Sequence, residues 1–236
     1  MKQLLTLLSV FALATCISCT YTEGSGNTIT ENRKVEAFSK LRVNGSMDVT
    51  FTQSDVSSVT VKADDNIIEL IETEVKDGEL VIGFKPNVGS VNNTHIEVLV
   101  SAKLMEELGV HGSGSITTTN KITPPNELKI TVVGSGDIDV TVNAPVVRTK
   151  VTGSGTVDVK GECANHEIAL SGSGDVNAAD LLGEKASIEL NGSGNVNVFA
   201  DVQLTVSVNG SGDVRYKGKC SVNSTKNGSG SIEPMQ

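Results

Sequence analysis

The chain has 236 residues and a net charge of −9, with 24 glycines against only 5 Phe, 2 Tyr and no Trp. So few aromatic rings exclude the base-stacking platforms of most single-strand nucleic-acid binders, and the acidic balance argues against a phosphate-backbone partner. Five prolines and no three-residue glycine period exclude collagen-like and proline-rich disordered chains.

Met1 and Lys2 open a short basic region, and Leu4 to Ser18 follow without a charge. That stretch is shorter than the roughly 20 residues that span a bilayer, so residues 1–18 read as a secretory signal. No later apolar run is long enough to span. Ala14-Thr15-Cys16-Ile17-Ser18-Cys19 resembles a bacterial lipobox, in which a small residue precedes the lipidated cysteine. Cys19, preceded by Ser18, fits better than Cys16, preceded by Thr15. The expected state is an exported outer-membrane lipoprotein of the cell envelope, held in the membrane by more than one acyl chain. Plain cleavage and secretion is the alternative. Residues 19–34 are polar and Gly/Ser-rich, and read as a flexible tether.

Residues 35–104 carry strand-like stretches at Val59-Val61, Leu80-Phe84 and Ile96-Val100. Leu41, Val43, Gly45, Ser46, Asp48, Val49 and Phe51 form one faint repeat, with Met47 where a second Gly is expected. A short helix is expected somewhere in 64–76, where Ile67, Ile68, Leu70 and Ile71 cluster behind Asp65 and Asn66. This region reads as an irregular first β-layer.

From 105 to 236 the pattern becomes regular. Gly-Ser-Gly begins at 112, 134, 153, 172, 192, 210 and 228, with steps of 22, 19, 19, 20, 18 and 18 residues. An eighth copy at 24 has Thr22 and Thr28 at the positions that are apolar elsewhere, and belongs to the tether. A fixed period near 20 marks a stacked array. Four residues after the first Gly stand Ile116, Ile138, Val157, Val176, Val196, Val214 and Ile232. Apolar and polar positions alternate on both sides of each Gly-Ser-Gly, as in half-buried strands. Each unit is therefore a strand, a tight corner and a strand. None can bury its own apolar face, so the units must stack into a β-solenoid with a thin aliphatic interior. The last unit places Ser224 and Lys226 at inward positions and ends with Pro234, a polar terminal coil that blunts the edge.

The run from Val35, Phe38, Leu41, Val43, Gly45-Ser46 and Asp48 to Phe51, then Val59-Val61, Ala63-Asp64-Asp65-Asn66 and Asp77-Gly78 before Leu80-Val81-Ile82, followed by the Gly-Ser-Gly ladder, resembles the putative auto-transporter adhesin "head GIN" domain family. The resemblance covers about residues 35–232. It implies an all-β, right-handed parallel β-helix on an exported, often lipidated protein of Gram-negative bacteria. It brings no catalytic residues with it.

Candidate chemistry lies in outward-facing acids. Three residues after the corner glycine the column reads Ser115, Asp137, Thr156, Asp175, Asn195, Asp213 and Ser231. Two residues further on, Asp139 and Asp158 fall on neighbouring coils, about 5 Å apart by backbone, a spacing compatible with two carboxylates flanking a glycosidic bond. That column continues as Asn177, Asn197 and Arg215, with no Lys, His or Tyr expected around the pair. One acid per coil is too sparse for calcium, and His95, His111 and His166 have no metal-ligand spacing, so no metal or cofactor is expected. His166 occupies a slot that is apolar in other coils and reads as a packed imidazole. Cys163 and Cys220 both fall ten residues after a corner glycine, which places them three coils apart in one column, too far for a disulfide, and two free thiols are expected.

The functional expectation is a non-catalytic, envelope-anchored solenoid acting through its surface in adhesion, scaffolding or glycan binding. A polysaccharide-active enzyme at Asp139 and Asp158 is the alternative, and an oligomeric structural component of the envelope a further one.

Overall fold

The computed structural model describes residues 21–92 and 95–235. The signal segment and Cys19 lie outside these. In chain order the first strands are β1 (Tyr21–Glu23), β2 (Thr28–Arg33), β3 (Lys40–Gly45), β4 (Asp48–Gln53) and β5 (Ser58–Asp64). After the single turn α1 (Asp65–Ile68) come β6 (Ile71–Lys76), β7 (Glu79–Phe84), β8 (Ser90–Asn92) and β9 (Glu97–Ala102). The regular coils use β10 (Glu107–Gly112), β11 (Ser115–Thr118), β12 (Glu127–Gly134), β13 (Asp137–Gly153), β14 (Thr156–Gly172) and β15 (Asp175–Gly192). They finish with β16 (Asn195–Phe199), β17 (Gln203–Gly210), β18 (Asp213–Lys217), β19 (Ser221–Gly228) and β20 (Ile232–Pro234).

The result is a parallel β-solenoid with coils of about 19 residues. Like positions pair from coil to coil: Ile116 with Ile138, Ile138 with Val157, Val157 with Val176, Val176 with Val196 and Val196 with Val214. All six side chains are buried, and each contributes about 1.5–3 kcal/mol of apolar burial. The sheets on either side of the corners close on this narrow aliphatic interior.

The corners explain the glycine spacing. The Ser154 amide donates to the Gly134 carbonyl of the previous coil at 2.8 Å, and the same bond recurs from Ser173 to Gly153 at 2.9 Å. At this approach a Cβ on Gly155 would lie 2.2 Å from the Gly136 oxygen and 2.6 Å from Val132 Cγ1. Gly153 has φ +125° as well. Gly112 pairs with Gly45, so Met47 stands where Gly114 stands one coil later. The coil on the other side of Met47 turns through the loop between β7 and β9 instead of a glycine corner, and the fully buried Met47 side chain fills the interior there.

The N-terminal region departs from the simple reading in three ways. First, chain order is not stacking order. β3 and β4 lie between β7 and β9 on one side and β10 and β11 on the other. The chain skips past its first coil, builds an outer one, and returns to continue the stack. Second, the end is closed by antiparallel strands, β5 on β9, β6 on β7 and β2 on β5, with Ile67 and Ile68 of α1 buried there. The expected helix is only one turn, because Ile71–Lys76 pairs as a hairpin with β7 through Asp77 and Gly78, both at positive φ.

Third, the expected tether is folded from Tyr21 onward. β2 pairs with β5, β1 pairs in parallel with β8, and Ser25 and Asn27 donate side-chain bonds to Asp65 at 2.5 and 2.8 Å. Arg33 donates to the carbonyls of Ile71 at 2.5 Å and Ile68 at 2.7 Å. β2 is an edge strand exposed along nearly its whole length, so it carries no apolar alternation to reveal it. The Gly-Ser-Gly at 24 belongs to this lock and not to the coil ladder. At the opposite end β19 is exposed throughout, and it covers Leu204, Val206 and Val208 through Val222, Ser224 and Lys226. The Lys226 ammonium is held by the Gly230 carbonyl at 2.8 Å.

Candidate functional site

Asp48, Ser115, Asp137, Thr156, Asp175, Asn195, Asp213 and, by continuation, Ser231 form one outward column. From Asp48 to Ser231 carboxylates and neutral donors alternate along it, whereas on the outer coil Asp48 stands beside Glu97. Ser115 donates its hydroxyl to Asp48 at 2.7 Å, the Thr156 amide donates to Asp137 at 3.0 Å, and Asn195 donates amide and side chain to Asp175 at 3.1 and 2.8 Å. Ser231 repeats the pattern on Asp213 with two bonds of 2.8 Å. Those bonds hold the Asp213 carboxyl below the ordinary carboxylate range. The alternation has a physical reason: acids on consecutive coils, about 4.8 Å apart, would repel, whereas a donor between them ties coil to coil. Asp137, Asp175 and Asp213 are thus occupied as bonding groups of the stack.

The second column places Asp139 opposite Asp158, then Asn177, Asn197, Arg215 and Glu233. Asn197 donates to Asn177 at 2.8 Å and Asn177 donates to Asp158 at 2.9 Å. Lys160, which sequence reasoning did not bring to the pair, sits with Nζ 4.0 Å from Asp139 Oδ1. The outward period-2 pattern of β14 already carried that signal, two residues beyond Asp158. An open groove of about 450 Å³ runs across this face, lined by Asp158, Lys160, Asn177, Asp180, Asn197 and Arg215 among others. Lys217 ion-pairs with Asp180 at 3.4 Å, while the Arg215 guanidinium has no hydrogen bond or ion pair among the described residues. The groove therefore offers a row of amides and carboxylates that includes a planar, fivefold donor, Arg215, next to Glu233 and in the field of Asp213. Such a row suits hydroxyl-rich or anionic ligands.

The sheet on the other side of the corners carries a second open groove, of about 520 Å³, across Lys129, Thr131, Arg148, Lys150, Glu167 and Glu189. Arg148 bridges Glu127, at 2.9 Å, and Glu167, and Lys129 also reaches Glu127 at 3.1 Å. Arg148 and then Lys129 hold the Glu127 carboxyl below its usual range. These pairs are half exposed, so each contributes little to stability.

His166 is buried among Val147 and Ala186 of the neighbouring coils, with Nε2 3.0 Å from Thr149 Oγ1 and Nδ1 without a partner. Burial pushes its pKa from 6.5 down to about 3, so it is a neutral imidazole. Cys163 and Cys220 are free thiols, and burial pushes Cys163 up to about 11. They do not share a column. Cys163 pairs with Gly183, while Ser221 pairs with Gln203 and Gln203 with Lys185, which places Cys220 one position along from the Cys163 column. The shift is the net of two irregularities: β15 carries one extra residue opposite the Asp158–Lys160 stretch, and the next coil has two fewer residues between Val198 and Gln203. Among the described residues no three His, Cys, Asp or Glu side chains gather as metal ligands, and no helix is long and apolar enough to cross a membrane.

A search of the curated proteins found no match. Among solved structures, a putative adhesin from Bacteroides fragilis aligns with TM-score 0.84 at 23% identity, covering 91% of this chain and 100% of that one. A putative lipid binding protein from Parabacteroides distasonis aligns with TM-score 0.78 at 25% identity, covering 92% and 100%. A putative adhesin from the same species gives TM-score 0.71 at 26% identity over 92% and 100%. The family model described as "Putative auto-transporter adhesin, head GIN domain" matches residues 37–220, most of the solenoid and its closed end, and the chain belongs to that family.

Proposed function

We propose that this chain is an exported, lipid-anchored envelope protein that works without catalysis, as an adhesin-like surface. Its ligand is a glycan or glycan-bearing partner held along the Asp158–Asn177–Asn197–Arg215 row. The observation that supports this reading most strongly is the assignment of the column acids. Asp137, Asp175 and Asp213 are held by donors of the next coil, and Asp158 by Asn177, so the carboxylates act as fixed acceptors in a polar shelf. Arg215 lines the same groove, and its guanidinium, in the field of Asp213, would donate to a ligand there. The adhesin family and the lipobox at Cys19 agree with display at an envelope surface.

The test is a glycan array and envelope-polysaccharide panel probed with residues 21–236, alongside Arg215→Ala. Binding by the unmodified protein that falls at least tenfold in the variant supports the reading. Saccharide cleavage that disappears in Asp139→Asn or Asp158→Asn would replace it with an enzyme. Binding unaffected by Arg215→Ala would move the site off this face.

A further inference from the structure

We infer that the closed, N-terminal end of the solenoid is the surface that meets the lipid headgroups, and that the coil stack projects away from the bilayer with β19 distal. This rests on the proposed anchoring at Cys19. A long flexible tether would leave orientation free, and that is what the composition of residues 19–34 suggests. The fold removes the tether. Gly24 donates to the Asn92 carbonyl at 3.1 Å, Asn66 donates to the Glu23 carbonyl at 2.8 Å, and the Ser25 amide donates to the Asn66 side chain at 3.0 Å. Together with the β1–β8 and β2–β5 pairings, these bonds fix the chain from Tyr21 onward to the closed end.

Only Thr20 separates Cys19 from Tyr21. Two residues of chain reach about 7 Å at most. Acyl chains on Cys19 therefore bring the β1 corner to the headgroup layer. Tyr21 is 64% exposed there, and an amphipathic ring of this kind favours the membrane interface.

The consequence concerns display. From β7 to β19 the stack passes through eight successive pairings. At about 4.8 Å each, that places the last coil roughly 38 Å beyond the first. The groove that holds Arg215 is lined from β14 to β18 and by Met235, so it belongs to the distal half. A ligand row held away from the lipid suits contact with another surface.

The experiment uses the full chain, processed in a Gram-negative host and reconstituted in phosphatidylcholine vesicles containing a nitroxide-headgroup lipid. In a Cys163→Ser, Cys220→Ser background, bimane is attached at Ser90→Cys, opposite Tyr21, or at Asn223→Cys on β19. Quenching at position 90 with none at 223 is expected. Equal quenching at both, or stronger quenching at 223, in protein that floats with the vesicles overturns the orientation alone. Protein that fails to float, or that still floats as Cys19→Ser, overturns the lipid anchoring, and the orientation with it.

Discussion

His166 Nε2 lies 3.0 Å from Thr149 Oγ1, and both side chains are buried in a predominantly aliphatic interior. The imidazole pKa is depressed to about 3 in the folded chain, against 6.5 ordinarily. As pH falls, the unfolded chain takes up this proton first. Stability is therefore complete above about pH 6.5 and is lost between there and about 3, at up to about 1.4 kcal/mol per pH unit. Urea unfolding at pH 4.5 and 7.5 should show a smaller loss for Thr149→Val/His166→Leu than for the unmodified protein. Equal losses would refute it.

The corner glycines are required by stacking, which Gly155 and Gly78 separate cleanly. Gly155→Ala meets a backbone oxygen at 2.2 Å and is expected to cost about 3 kcal/mol or more. Gly78→Ala, at φ +75° with open space around it, should cost about 1–2 kcal/mol. Met47→Gly restores the repeat pattern yet empties a buried position, so a loss of about 2–5 kcal/mol is expected. Thermal or denaturant unfolding measures all three.

Ser231 lowers the Asp213 pKa through its hydroxyl and its amide. In an NMR titration Ser231→Ala should move the Asp213 midpoint upward, toward but not reaching the usual value, because the amide bond survives. An unchanged midpoint would mean that the hydroxyl bond does not form in solution.

Burial raises both thiols, Cys163 to about 11. At pH 8 the native protein should react slowly with a thiol reagent, Cys220 ahead of the more buried Cys163, and both promptly in denaturant. Peptide mass spectrometry after timed alkylation reads the order. Denatured, unreduced protein with no reactive thiol would contradict the separated columns.

Arg33 holds the carbonyls of Ile68 and Ile71 from a side chain only 16% exposed. Arg33→Ala should destabilise the closed end by about 1.5–3 kcal/mol and speed hydrogen exchange in β2 and β6 before the central coils.

The sequence alone determined the coil. Val and Ile at fixed offsets from Gly-Ser-Gly, and almost no aromatic rings, admit one economical solution, because a 19-residue unit buries its apolar side only against copies of itself. It also carried the outward columns, Asp137 to Asp213 and Asp139 to Arg215, since the period-2 alternation fixes which side chains leave the interior. Three things were decided by tertiary structure. The order β7, β3, β10 follows from long-range pairing, which no local pattern encodes. Residues 21–33 look like solvated linker because an edge strand held by backbone bonds and by Asp65 needs no apolar face. Cys163 and Cys220 part company because β15 gains one residue and the next coil loses two between one glycine corner and the next, so equal spacing from the corner no longer means equal position, which shows only when strands are laid side by side. Local alternation specifies which face a residue takes; only the stacking specifies its neighbour.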